Sequence, residues 1–421
     1  MRKKILRMNM IIILIIWGTI SGALAQPLNW ADCVREARQN NPNLLSAAEK
    51  LKQAGLNLTT TKSDYYPQIS GSASGQTSKA NDADRSDSYS YGLSGRQLLF
   101  DGLKSQYNVA TSSATFRSAV YSYAVTSSNL RLQLKKDFVN LLKAQKLVAI
   151  TTEIAQRRKQ SLELIKLGYE AGREHKGSLL TAQADLAEAE FEIAQATRNL
   201  EIAARTLCAD MGYGQYSQIQ VQGELAVSLL DPVTPDFEQL AGSVPLLQAL
   251  IAQKDASRLS LKGATADMYP SVYASASTGK SGSDWPPDRS QWSAGVSVSV
   301  PIFSGGSQVA AVKKSESAYA QAQAEERNGR ASVILTLAEN WANLQDALGQ
   351  LAVRQKFLAA TEERSKIAEA QYKIGLMSFD NWIIIEDDLI NAKKTLLDTQ
   401  ANAMIAEANW IQAKGVTLDE E

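Results

Sequence analysis

From residue 291 to 300 the chain alternates without a break. Trp292, Ala294, Val296, Val298 and Val300 are apolar, and Ser293, Gly295, Ser297 and Ser299 are small and polar. A period of two predicts a strand with one apolar and one wetted face. The pattern recurs three times. Val272, Ala274 and Ala276 alternate with Tyr273, Ser275 and Ser277. Ile69, Gly71 and Ala73 alternate with Ser70, Ser72 and Ser74, and Tyr89, Tyr91 and Leu93 with Ser88, Ser90 and Ser94. Polar links at 80–87 and 281–289 make these four segments two hairpins, at about 68–100 and 271–303. Each predicted strand has about 10–13 residues, enough to cross a bilayer at a tilt.

Elsewhere the period changes. No proline occurs in 68–231 or 302–421, and these stretches are rich in Ala, Leu, Gln, Glu and Lys, which favour helix. Two very long helices are predicted, at about 104–171 and 308–373, each roughly 100 Å long at about 1.5 Å per residue. A globular core has no use for such lengths; they imply coiled-coil packing or a tube. Each ends at a glycine, Gly172 or Gly375, where a tight turn is available. A returning helix follows each, at about 178–208 and 379–413, and a shorter helix precedes each hairpin, at about 42–63 and 245–266. Short and returning helices together are long enough to flank one long helix end to end.

The chain therefore states one design twice. Pro42 aligns with Pro245, an offset of 203 residues, and the same offset aligns Tyr66-Pro67 with Tyr269-Pro270, Phe100 with Phe303, Gly102 with Gly305 and Tyr169 with Tyr372. This is a duplicated half-protein, not a short-period array. The expected organisation is a leader over 1–25, one repeat over 26–225 and a second over 226–421. Arg2, Lys3, Lys4 and Arg7, the apolar run 10–17 and Ala23-Leu24-Ala25 carry the leader reading, and no lipid-anchor cysteine follows it. Four strands cannot close a barrel, and an open edge in lipid strands backbone hydrogen-bonding groups. If these strands span a membrane, several chains must share one barrel.

Composition removes other classes. Without the leader there are 40 basic and 44 acidic residues, a net charge of about −4, and no basic face for nucleic acid. His175 is the single histidine, so no cofactor or metal site is expected and histidine-dependent catalysis has little to work with. No acid/base pair, activated nucleophile or phosphate-binding loop marks an enzyme.

The chain resembles the TolC-like outer-membrane efflux protein family over essentially its whole mature length. The resemblance rests on Tyr66-Pro67-Gln68 and Tyr269-Pro270-Ser271 before the hairpins, and on Leu99-Phe100-Asp101-Gly102 and Pro301-Ile302-Phe303-Ser304-Gly305-Gly306 after them. Tyr372-Lys373-Ile374-Gly375-Leu376 at the second helical turn completes it. The resemblance implies an α+β membrane protein: a homotrimer with a long α-helical coiled-coil tunnel in the periplasm and one transmembrane β-barrel of twelve strands, four from each chain. It implies a passive exit duct of a tripartite efflux pump or type I secretion system. The implied partners are a periplasmic membrane-fusion adaptor, an inner-membrane RND or ABC transporter, and outer-membrane lipid.

The resemblance also assigns residues. Ile374, Gly375 and Leu376 match an adaptor-docking motif, and at the first turn only Gly172 is kept. Tyr372 matches a tyrosine that latches the closed tip, with Arg173 beside it, and Asp380 and Asp387 are the candidate gate carboxylates. Seven residues apart, those two share a helix face, apart from Trp382, Ile385 and Leu389. They are either charge rings around a threefold axis or an ordinary solvated face. His175 is either an axial metal or pH site or simply exposed. Tyr89, Tyr91 and Trp292 are the expected membrane-facing aromatics. Cys33 and Cys208 bracket one half and are candidates for a disulfide, or else two buried thiols. A structural periplasmic coiled-coil or adaptor protein is the alternative function; it accounts for the helices but not for the duplicated hairpins.

Overall fold

The computed structural model describes residues 27–79, 84–214, 219–227 and 233–420. The leader expected over 1–25 lies outside them. The helices are α1 (Trp30–Asn40), α2 (Pro42–Lys62), α3 (Lys104–Glu170), α4 (Lys176–Asp210), α5 (Phe237–Ala241), α6 (Pro245–Ala266), α7 (Ser307–Lys373) and α8 (Phe379–Ala413). The strands are β1 (Gln68–Ser78), β2 (Ser86–Phe100), β3 (Ser271–Gly282) and β4 (Arg289–Ser299).

Helix ends follow local chemistry. Asn29 and Asp32 form a reciprocal capping box on α1. Asn41 caps α2 by accepting from the Asn43 and Leu44 amides at 2.9 and 3.1 Å, with Pro42 at the first helical position. Pro245 likewise stands at the first position of α6, where Val244 before it supplies no side-chain cap. Both α3 and α7 run 67 residues unbroken.

Each long helix is flanked by two shorter ones, as the lengths predict: α2 and α4 lie along α3, and α6 and α8 along α7. α6 and α8 also pack on α3, which joins the two repeats. α4 buries Ala182, Ala189 and Ala196 at seven-residue intervals, a narrow seam that lets α3 approach closely.

The four strands form one antiparallel sheet in the order β1-β2-β3-β4. Its register puts Ser70 opposite Ser94, Ser94 opposite Ser277, and Ser277 opposite Ser293. Side-chain hydroxyls meet across it at 2.9 Å (Ser70–Ser94), 2.8 Å (Ser74–Ser90) and 2.9 Å (Ser277–Ser293). The other face carries Ile69, Leu93, Val296 and Val298, all exposed. β1 and β4 are both edges and are exposed along their whole length. No helix among the described residues is long and apolar enough to cross a membrane.

The largest core lies midway along the helices, where α1, α3, the end of α4 and the segment around Val221 meet. Leu28 pairs with Val221 there, and the Gln145 amide clamps Val221, donating to its carbonyl and accepting from its N–H at 2.9 Å each. Cys33 and Cys208 are buried in this cluster as two thiols with no disulfide between them, which corrects the candidate cross-link. Burial, with Asp32 nearby, pushes the Cys33 thiol up to about 12. Oxidation to a disulfide goes through the thiolate, which this environment suppresses.

The same core holds a carboxyl pair. Asp137 is buried on α3 and faces Asp210 at the end of α4, whose Oδ2 is buried without a donor. Burial first, and Asp210 second, raise Asp137 from 3.8 to about 7, against Gln133, which donates at 3.0 Å, and Lys136. A proton on Asp137 satisfies both groups. Because the folded value is raised, the stabilisation is complete below pH 3.8 and is lost as pH rises towards 7. Asp137→Asn supplies a permanent donor. Thermal melts should show it stabilised by about 1.5–3 kcal/mol at pH 8 and little changed at pH 3.8, below which the wild-type carboxyl is protonated in both states. An equal shift at both would exclude the shared proton.

Candidate functional site at the helical tip

The two long helices end in the same device. Gly172 and Gly375 have φ of +72° and +78°. The Gly172 N–H donates to Tyr169 O and the Arg173 N–H to Gly168 O, at 3.0 and 2.8 Å. At the second tip the Gly375 N–H donates to Tyr372 O and the Leu376 N–H to Gln371 O, both at 2.9 Å. These are Schellman turns, and the left-handed residue that they need is the glycine in both. The second turn holds Ile374 and Leu376 outward, 71% and 75% exposed. The first offers no comparable apolar pair, because Ala171 and Arg173 stand in those places.

Tyr372 is the last residue but one of α7. Its ring stacks on Trp382 of α8, centroids 4.5 Å apart and planes 12° from parallel. Its hydroxyl donates to Glu174 Oε1 at 3.0 Å, tying the second tip to the first. Burial and then the Glu174 carboxylate hold the phenol above its ordinary pKa, so it stays a donor. The partner is thus Glu174, which the sequence reading passed over for its neighbour Arg173. Arg173 is exposed and makes no ion pair among the described residues; its charge only faces the Tyr372–Glu174 pair. Arg173, Glu174, His175, Tyr372, Met377 and Asp380 line one cavity of about 500 Å³.

His175 is exposed at the tip, and it also does a local job there. Its Nδ1 accepts from the Ser178 N–H at 3.1 Å and caps α4. Among the described residues, no group of three or more His, Cys, Asp or Glu is placed to hold a metal.

The two aspartates separate. Asp380 is exposed at the start of α8. Asp387 is paired with Arg158 of α3, so it is not the uncommitted carboxylate that the charge-ring reading requires. Asp388 pairs with Arg364 at 3.0 Å. Trp382, Ile385 and Leu389 are buried on the opposite face, as their spacing predicts. Between them Glu386 is buried, in an ion pair with Arg157 at 3.1 Å and a hydrogen bond from Ser365. That carboxylate ties α8 to α3 and α7, and one-dimensional pattern gives no sign of it.

At the other end of the molecule, Tyr89 and Tyr91 project from the apolar face of β2 and meet Trp285 edge-on, each at 6.2 Å. Trp292 stands on the same face of β4, 81% exposed. Three aromatic residues thus sit near the outer end of the hairpins, with Trp285 added by the structure.

Comparison with known proteins fits this geometry. The family described as outer membrane efflux protein matches twice, over residues 33–212 and 237–416. Outer membrane protein TolC of Vibrio cholerae serotype O1 is 25% identical, with 96% of this chain and 94% of that protein aligned. Outer membrane efflux protein BepC of Brucella suis biovar 1 is 24% identical, over 96% and 89%. The solved open state of the Neisseria gonorrhoeae MtrE outer membrane channel superposes with a TM-score of 0.82 at 16% identity, covering 93% of this chain and 90% of that one. Two family matches spanning most of a chain built from two matching halves leave no room for an isolated periplasmic coiled coil: the chain belongs to the outer membrane efflux protein family, the transport channels of the outer membrane.

Proposed function

We propose that the chain works as a homotrimer and is the passive exit duct of a tripartite pump. The observation that carries this is the open sheet. β1 and β4 expose unpaired edges on a sheet with one apolar face, and only a neighbour's β4 against β1 satisfies those edges in lipid. Three copies give the smallest closed twelve-stranded barrel compatible with the family fold. The helices agree. Leu335, Val353, Phe357 and Ile367 of α7, and Phe191 and Ile202 of α4, are large, apolar and exposed on the single chain, which is what a neighbouring helix covers. Tyr89, Tyr91 and Trp292 then face lipid headgroups.

At the other end Ile374 and Leu376, held out by Gly375, present an apolar contact to a periplasmic adaptor, which joins the duct to an inner-membrane RND or ABC transporter. Gly172 gives the first tip the same turn, but Ala171 and Arg173 beside it present no apolar pair, so the second tip carries the contact. The Tyr372–Glu174 bond and the Arg157–Glu386 pair hold α7 and α8 against α3 and keep the tip closed until an adaptor engages. Light scattering of the detergent-solubilised protein should give three chains per particle. A monodisperse monomer would remove the shared barrel and the tunnel together.

A further inference from the structure

The polar face of the sheet is almost without charge, and its exceptions have one sign. Along β1 to β4 that face presents Ser, Gly and Gln at nearly every position. The charged residues on it are Arg96 on β2 and Arg289 at the start of β4. No aspartate or glutamate of the strands shares it: Asp87 alternates onto the other face, where Thr77 and Arg85 bond it.

The two arginines mark opposite ends of the strands. Arg96 sits opposite Ser275, near where β2 runs on towards α3, and Arg289 sits opposite Ser281, at the hairpin end. Six residues of strand separate those levels, about 20 Å. Neither guanidinium has an ion-pair partner among the described residues. Arg96 lies over the Tyr273 ring with its central carbon 3.8 Å from the centroid. That stack fixes the group in place and leaves its charge unneutralised.

The acids that line a cavity of about 550 Å³ together with Arg96 are mostly committed. Asp101 accepts from the Ser105 N–H at 2.8 Å, and Asp267 pairs with Lys104. Asp64 lies beyond ion-pair distance.

We propose that Arg96 and Arg289 form two rings of fixed positive charge in the barrel, which favour anionic over cationic permeants and hold carboxylate or phosphate groups in transit. The proposal rests on the reading of the polar face as the wall of a shared lumen. Threefold symmetry then gives three guanidinium groups at each level, in a wall otherwise of serine hydroxyls and glycine. A ring of like charge in a narrow low-dielectric pore concentrates counter-ions and repels co-ions.

The experiment is the reversal potential of single channels in planar bilayers under a potassium chloride gradient. R96Q and R289Q should each shift the chloride-to-potassium permeability ratio towards potassium by about twofold or more, and the double variant further. R96K, which keeps the charge, should retain the wild-type ratio and so separates charge from folding. K280Q, on the opposite face, should do the same. An unchanged ratio in R96Q/R289Q overturns the charge rings. Ser94→Cys and Ala276→Cys test the underlying reading: a charged, membrane-impermeant thiol reagent should block current through the first and not the second. If Ser94→Cys is blocked but the double variant is unchanged, the lumen stands and the inference falls. If Ser94→Cys is not modified, the reading of the face fails.

Discussion

Gly375→Val should reduce efflux in a complemented deletion strain to the level of the deletion, while trimer formation and outer-membrane insertion stay intact. At φ +78° a side chain has open space, since no heavy atom lies within 4 Å of an added Cβ. The cost is therefore conformational, not steric. An ordinary residue in the left-handed region costs about 1–2 kcal/mol, and a β-branched one tolerates it worst. Relief comes from giving up the Gly375 and Leu376 turn bonds, which swings the two exposed apolar side chains off their positions. The strands and the middle core take no part in this turn, so assembly persists. Gly375→Ala should be milder. Gly172→Val should matter less, because Ala171 and Arg173 offer an adaptor no apolar contact. Undiminished drug or metal tolerance in Gly375→Val would exclude this turn as the docking point.

The second large effect is expected at Arg157. Glu386 keeps only 7% of its side chain in contact with solvent, against 34% for Arg157. Arg157→Met leaves that carboxylate buried without its cation, at a cost of about 3–5 kcal/mol. The native state escapes by releasing the tip half of α8 from α3, which is an opening motion. Tyr372→Phe is gentler: it keeps the stack on Trp382 and loses one hydrogen bond to a charged acceptor, about 1.5–3 kcal/mol. Single-channel conductance without adaptor should rise in the order wild type, Tyr372→Phe, Arg157→Met. If both variants conduct like the wild type, neither contact holds the tip shut.

Most of the architecture is written along the chain. The serine-apolar alternation at 291–300 and its three counterparts give the strands and their faces. Pro42 and Pro245 open helices, Gly172 and Gly375 end them, and the duplication gives the two repeats. All of these are local signals: a side-chain period, a missing N–H, a positive φ. The helical period also separates Asp380 and Asp387 from the buried Trp382, Ile385 and Leu389.

What pairs with what is another matter. Tyr372 bonds Glu174, 198 residues away, and Arg157 and Arg158 meet Glu386 and Asp387 at a separation of 229. A period says which residues share one face of a helix, not which face of which other helix that face will meet. Choosing Glu174 over Arg173 takes the turn geometry after Gly172, where one residue more changes the direction of the side chain. The His175 cap is not legible in the sequence although its partner is only three residues on, because histidine seldom caps a helix. Cys33 and Cys208 could be judged only once burial was known, since the surrounding core, not the spacing, keeps the thiol protonated. The sequence by itself determined the strands, the helices, the turns and their duplication, because each is set by a few neighbouring residues. The packing of α8 on α3 decided which charges at the tip are spent and which remain, because electrostatic partners are fixed by distance through space.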